Sequence, residues 1–285
     1  LVPSEAELAI ASDEREDPIG DAAYSPVKGV THRYPDRVLL KPTHACAVYC
    51  RFCFRREAVG PGGESLSPAE LDAALAYISR DVRIWEVILS GGDPLILSPR
   101  RLGEIVRRLD AIGHLGVIRV HTRVPAAEPE RVDAELVAAL RARKAVWIVL
   151  HANHARELDE PTRAAVARLV DAGLPVLAQT VLLAGVNDDP ATLEALLRAL
   201  VAMRVKPYYL HHADLAPGTG HFRSSIGAGQ ALMRDLRGRV SGLCQPSYVP
   251  DVPGGAGKVP IGPSYLRESL ADGKTVVEDW QGKLH

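Results

Sequence analysis

The sequence has almost no net charge. Its 34 Lys and Arg nearly balance 35 Asp and Glu, leaving a formal -1, so no excess of either sign recruits nucleic acid or an anionic membrane surface. An anionic ligand must therefore be held by local basic clusters. Long hydrophobic runs are also missing. No stretch approaches the roughly 20 apolar residues needed to cross a bilayer, and the opening segment is acidic and polar, without the basic start and apolar run of a secretory signal. These absences predict a soluble, cytoplasmic protein. Cysteine is scarce, with four in 285 residues. Three crowd between Cys46 and Cys53, too tightly for an ordinary disulfide framework and in the manner of a metal site in a reducing compartment. Cys244 stands alone and reads as a packing residue. No internal repeat of about 20–50 residues and no low-complexity tract occurs, which sets aside solenoids and arrays.

What remains is the pattern of one large domain. Residues 1–36, rich in Glu, Asp and Pro, show no sustained period and read as an N-terminal extension laid over that domain. From Arg37 onward short β-branched runs recur at Val38–Leu40, Val87–Leu89, Val117–Val120, Val146–Leu150, Val176–Leu183 and Tyr208–Leu210. Each fits a buried parallel strand, so six are expected. Helical patterns separate them. Ser67, Pro68 and Glu70 form a helix start ahead of Leu71, Ala74, Leu75 and Ile78 on one face. Ser98–Pro99 and Asp189–Pro190 start two more helices, the first buried through Leu102, Ile105, Val106 and Leu109, the second through Leu193, Leu196, Leu197 and Leu200. The expected fold class is therefore α/β, a partial (βα)6 barrel over residues 37–240, followed by a C-terminal segment, 241–285, that carries a glycine-rich lysine loop. Right-handed crossovers in such a fold bring ligand-binding residues to the carboxyl ends of the strands.

The cysteines stand as Cys46-Ala-Val-Tyr-Cys50-Arg-Phe-Cys53, just after the first expected strand. Cysteine thiolates hold 4Fe-4S clusters, usually four of them. Three leave one iron open to a ligand, and C-x-x-x-C-x-x-C is the spacing of the radical S-adenosylmethionine (AdoMet) superfamily. The alternative is a structural zinc with His44 as fourth ligand. Further on, the second strand runs into Ser90-Gly91-Gly92-Asp93-Pro94, where glycines at a strand's carboxyl end let a ligand approach the backbone. Near the end lies Asp251-Val-Pro-Gly-Gly-Ala-Gly-Lys258, which lacks the spacing and the Ser or Thr of a phosphate-binding P-loop. A lysine on a mobile glycine-rich loop suits a Schiff base with an aldehyde cofactor, although such a loop is also an ordinary surface feature.

Taken in order, His32–Arg37, Cys46–Arg56, Ser90–Asp93, His151–His154, the Gln179 segment, Asp214 with His221–Arg223 and the Lys258 loop resemble the lysine 2,3-aminomutases, radical AdoMet enzymes that also use pyridoxal 5′-phosphate (PLP). The resemblance spans about residues 30–265. It implies a 4Fe-4S cluster on Cys46, Cys50 and Cys53. AdoMet would lie against Ser90, Gly91, Gly92, Asp93, His151 and Gln179, although His151 and Gln179 also suit satisfied polar positions inside a barrel. PLP would sit on Lys258 with Arg33, Tyr34 and Arg37 around its ring and phosphate. Arg55 would pair with the substrate carboxylate, and Asp214 and Asp251 would receive its far ammonium, an arrangement that favours lysine over an anionic side chain. Asp214, after His211–His212, also suits a metal ligand or a helix cap.

The activity implied is an isomerase reaction, L-lysine to β-lysine, started by an AdoMet-derived 5′-deoxyadenosyl radical. Its small-molecule substrate would be joined by an external one-electron reductant such as flavodoxin or ferredoxin, with no nucleic acid or membrane partner, and the protein would be a homo-oligomer. Departures from the family pattern exist. Classical members carry extra cysteines for a structural zinc, absent here near Asp189 and the short C-terminal segment, and Phe52 stands where histidine is common. Those features resemble the branch that makes β-lysine for modification of elongation factor P, while the loop Pro253–Lys258 resembles the classical branch. Open alternatives are a related 2,3-aminomutase acting on another amino acid, a radical AdoMet enzyme without PLP, and a zinc-stabilised, non-enzymatic binding protein.

Overall fold

The computed structural model of the chain describes residues 3–60, 62–269 and 273–285. Its centre is an eight-stranded sheet in which sequence order is spatial order. The strands are β1 (Val30–Tyr34), β2 (Arg37–Thr43), β3 (Glu86–Gly91), β4 (Val117–Thr122), β5 (Ala145–His151), β6 (Val176–Leu182), β7 (Val205–His212) and β8 (Ser247–Val249). β2 to β8 run parallel, β1 pairs antiparallel with β2, and β1 and β8 form the two edges. The helices between strands are α1 (Pro68–Arg80), α2 (Pro99–Asp110), the short α3 (Val124–Ala127) and α4 (Ala134–Ala139), α5 (Glu160–Asp171), α6 (Pro190–Ala202) and α7 (Ile226–Arg239). No helix among the described residues is long and apolar enough to cross a membrane.

The six expected strands are all present, and the sheet gains one more from each flank. β1 comes from within the expected extension 1–36, and β8 from the expected C-terminal segment. The helix starts follow the sequence signals: Ser67, Ser98 and Asp189 each accept a hydrogen bond from a first-turn backbone N–H, and Ser67 with Glu70 forms the reciprocal capping box. The predicted apolar stripes of α1, α2 and α6 are the buried ones.

Strand alternation divides the sheet's two faces. On β3 and β4, Val87, Leu89, Ile118 and Val120 are fully buried and join the core beneath the helices. Their neighbours Glu86, Ile88, Ser90, Arg119 and His121 point the other way and line a cavity of about 520 Å³. On β6 and β7, Gln179, Val181, Tyr209 and His211 face that same cavity. The concave face is thus mostly polar and the convex face apolar, so a ligand site forms inside the sheet's curve without interrupting the core.

Candidate active site

One wall of the cavity is the cysteine loop that leaves β2. Its backbone is pinned at its base, where His44 N–H donates to Glu64 O at 2.8 Å and Gly60 N–H donates to His44 O at 3.0 Å. The Gly91–Gly92 pair lies directly against this loop. A Cβ on Gly92 would come within 2.0 Å of Ala45 O, and one on Gly91, whose φ is +110°, within 2.4 Å of Thr43 O. Gly92 N–H donates to Thr43 O at 2.9 Å and Asp93 N–H to Ala45 O at 2.8 Å. The glycines therefore let strand β3 close on the chain's own cysteine loop, a need the sequence motif did not distinguish from ligand approach. Asp93 is buried and committed: its carboxylate accepts from Leu95 N–H, Thr122 Oγ1, Arg123 N–H and Val124 N–H at 2.7–3.2 Å. Burial still pushes its carboxyl upward.

Two arginines tie the loop to distant segments. Arg51 Nε lies 2.6 Å from Glu7 Oε1, and Arg56 Nη1 donates to Arg51 O and, at 3.0 Å, to Pro217 O. Burial pushes the Cys46 thiol up to about 12 and Cys53 up to about 11, and Cys50 also rises despite the nearby Arg123. Burial thus favours the neutral thiols, and a bound cationic centre would be what ionises them. Among the described residues no three Cys, His, Asp or Glu side chains lie close enough to grip a single metal ion, and the zinc alternative with His44 finds no preformed site. Cys46, Cys50 and Cys53 all line the cavity, and cysteine thiolates are the donors that would hold an iron-sulfur cluster there.

Beside this wall Phe52 meets His151 edge-on, with ring centroids 5.7 Å apart, and lies 5.6 Å from the Arg123 guanidinium. Glu157 grips Arg123 and accepts from the backbone of Asn153 and His154. Several buried polar atoms on cavity residues lack a partner, among them His121 Nε2, His151 Nε2, Arg123 Nη1 and Arg33 Nε. Burial drives His121 and His151 well below the ordinary histidine range, so both are neutral. Unpaired neutral imidazoles and guanidinium edges facing one space are the donor set of a polar, anionic ligand. His151 and Gln179 are adjacent in register across β5 and β6.

The opposite wall holds the lysine. Residues 251–258 form a short antiparallel hairpin of β9 (Asp251–Val252) and β10 (Gly257–Lys258), with Lys258 opposite Asp251. A mobile loop was the expectation. Instead the hairpin is pinned: Lys258 N–H donates to Tyr34 Oη at 2.7 Å, and a Cβ on Gly255 or Gly257, both at positive φ, would strike Tyr24 or Tyr34. Lys258 Nζ lies 2.6 and 2.8 Å from the Asp251 carboxylate oxygens. Asp214, just past β7, is pushed up to about 7 by burial and by Asp251. The β1–β2 turn sets Tyr34 opposite Arg37, whose guanidinium lies 3.7 Å from the Tyr34 ring centroid.

Every residue that the resemblance assigns to the cluster, AdoMet, PLP or substrate therefore lines the same cavity. Sequence reasoning missed Arg119 and His121 on β4, Arg123 just past it and His211 on β7, positions where period-2 alternation points inward. It also missed Asp21, for which no local pattern exists. Arg33 Nη2 donates to Asp21 Oδ1 at 3.0 Å and Arg55 Nε to Asp21 Oδ2 at 2.8 Å.

Comparison with known proteins follows the same lines. The radical SAM superfamily profile matches residues 40–197, and a lysine-2,3-aminomutase profile matches residues 233–285. An L-lysine 2,3-aminomutase of Acetoanaerobium sticklandii is 42% identical over 99% of this chain and 68% of its own length. A glutamate 2,3-aminomutase of Clostridioides difficile is 35% identical over 99% of this chain and 67% of its own length. The chain thus spans about two thirds of the length of these relatives. Among solved structures, a radical SAM methyltransferase from Sphaerobacter thermophilus shares the fold, with a TM-score of 0.55 at 21% identity over 78% of this chain and 68% of that one.

Proposed function

Because this chain belongs to the radical SAM superfamily and, within it, to the lysine 2,3-aminomutase family, we propose that it is an isomerase that moves the amino group of L-lysine from C2 to C3, giving β-lysine. The observation that carries the choice of lysine is the acidic end of the cavity. Asp251 already holds a primary ammonium there, that of Lys258, at 2.6 Å, and Asp214 is close enough for its charge to be felt. A substrate ammonium finds the same acceptors once Lys258 is engaged by a cofactor. A glutamate side chain would set a third carboxylate beside the two, where Arg33, 3.5 Å from Asp251 Oδ1, is already shared with Asp251.

The family's cofactors are a 4Fe-4S cluster, AdoMet and PLP, and the donor sets fit them. When bound, the cluster and AdoMet would supply a hydrogen-abstracting radical, and PLP would carry the migrating amino group. Cys46, Cys50 and Cys53 would hold the cluster. Ser90, Gly91, Gly92 and Asp93, with the neutral His151 and Gln179, would form the AdoMet side. Lys258 would bind PLP, with Tyr34 at its ring and Arg33 and Arg37 at its phosphate, since guanidinium edges match phosphate oxygens. Arg55 would take the substrate α-carboxylate, and Asp214 and Asp251 its ε-ammonium. Gripped at both ends, the substrate presents C3 in a fixed direction, and positioning of this kind is the protein's main contribution. An external one-electron donor of the flavodoxin or ferredoxin type would serve as reductant. The deciding experiment incubates anaerobically reconstituted protein with AdoMet, PLP, dithionite and either L-lysine or L-glutamate, scored by mass spectrometry. β-Lysine from lysine alone is the expected result; β-glutamate, or no β-amino acid from either, overturns the reading.

A further inference from the structure

Asp21 lies in the segment before β1, outside every motif, yet it sits between two arginines that the reading above assigns to two different anions. Its Oδ1 accepts from Arg33 Nη2 at 3.0 Å, and its Oδ2 lies 2.8 Å from both Nε and Nη2 of Arg55. The carboxylate is largely buried, as are both guanidiniums. Asp21 is itself held, because its own N–H and that of Ala22 donate to the Asp17 carboxylate at 2.8 and 2.9 Å. The neighbouring Gly20, at φ +69°, packs against Gly254 so closely that a Cβ there would come within 2.8 Å of its carbonyl carbon. The segment is thus docked on the lysine hairpin, and its acid has a fixed position.

We propose that Asp21 is a positioning residue that aims Arg55 at the substrate carboxylate. A guanidinium offers its donors in a rigid planar fork, so fixing one edge fixes where the rest point. Asp21 occupies the Nε/Nη2 edge, and Nη1 is left toward Ser90 Oγ, 3.5 Å away at the carboxyl end of β3. Among the described residues, Asp21 is the one carboxylate within ion-pair reach of Arg55. The competing partner is Asp214, which feels the charge of Arg55 across the cavity. Without Asp21, Arg55 turns toward Asp214, which removes the carboxylate grip and neutralises an ammonium acceptor in one move.

The inference rests on Arg55 binding the carboxylate, and the test separates the two claims. Holoenzyme loaded with cluster, AdoMet and PLP, left unreduced so that no turnover occurs, is titrated calorimetrically with L-lysine and with 1,5-diaminopentane, which lacks the carboxylate. Asp21→Asn is expected to weaken lysine by about tenfold or more, as misplacing one charge-assisted contact does, and to leave 1,5-diaminopentane within about twofold. Comparing two ligands in one sample cancels any loss of folded protein, and Asp21→Glu, which restores the charge, should recover part of the difference. Unchanged lysine affinity, or equal weakening of both ligands, overturns the role of Asp21. Arg55→Lys is run beside it. If that variant also binds lysine normally, the carboxylate reading of Arg55 falls; if it selectively loses lysine while Asp21→Asn does not, only the role of Asp21 falls.

Discussion

Asp214 carries a physical cost that the cavity accepts in exchange for recognition. Its carboxyl is pushed up to about 7 by burial and by Asp251, against the partial relief of Lys258, Arg55 and Arg33. A group whose folded pKa exceeds its unfolded value of about 3.9 binds more protons in the folded state between the two values, so stability falls as pH rises through that window. In protein without cofactors or substrate, Asp214→Asn should therefore melt higher than the parent at pH 8. The gain should be about 2–4 kcal/mol, since each pKa unit is worth about 1.4 kcal/mol, and should vanish near pH 4. Thermal melts of both proteins across that range check it, and a variant no more stable than the parent at pH 8 contradicts the account. The same substitution should abolish β-lysine formation, because one of the two ammonium acceptors is gone. Lys258→Ala works in the opposite sense. It removes the cation that Asp251 holds at 2.6 Å, leaves Arg33, 3.5 Å away, as the ion-pair partner of Asp251, and should lower stability above pH 7 while abolishing the visible absorbance of protein-linked PLP.

At the scale of elements, the cysteine loop and strand β3 depend on one close approach. Gly92→Ala would bring a methyl within 2.0 Å of Ala45 O, a backbone atom that cannot swing aside, so the loop must lift from the strand. Iron and sulfide content after anaerobic reconstitution should fall to less than about half of the parent's, with stability lower by several kcal/mol. Gly113→Ala, where the added methyl meets nothing within 4 Å, is the control and should load normally. Full cluster loading in Gly92→Ala would show that the contact is not needed. Much of this scale was legible in the sequence. The caps at Ser67, Ser98 and Asp189, the apolar stripes of α1, α2 and α6 and six strands follow from local pattern, because short-range hydrogen bonds and helical spacing decide them. β1 was not legible, since His32-Arg33-Tyr34 is too polar to resemble a core strand and is ordered by pairing with β2 and by Tyr34's bond to Lys258. β8 is three residues long, too short to show any period. The lysine hairpin looked mobile because its glycines suggest freedom, whereas Gly255 and Gly257 pack against Tyr24 and Tyr34, and Gly20 closes on the Gly254 backbone.

Across the whole molecule, the sheet curves so that inward residues from β3 to β7 meet one space, with thiols at one wall and the lysine at the other. Most of the motif residues could be assembled from sequence because they stand at or just past a strand's carboxyl end, where the topology sends ligands, while Arg37 opens β2 and Gln179 lies midway along β6. Asp21 and Arg123 could not, since their roles come from partners far away in the chain: Arg55 for one, Phe52 and Glu157 for the other. The buried atoms without partners around the cavity, His121 Nε2 and His151 Nε2 among them, cost stability until a ligand satisfies them. Ligands that bind only the folded state stabilise by mass action, about 2.7 kcal/mol at a hundredfold excess over Kd. PLP and AdoMet should therefore each raise the melting temperature of cluster-loaded protein by several degrees, at about 2–4 °C per kcal/mol for a chain of this size. Because the two walls are built from different elements, Lys258→Ala should erase most of the PLP shift and keep the AdoMet shift, while Cys50→Ala should do the reverse. If either substitution erased both shifts, the walls would have to form as a single cooperative unit, and the neutral histidines between them would be the place where that coupling is carried.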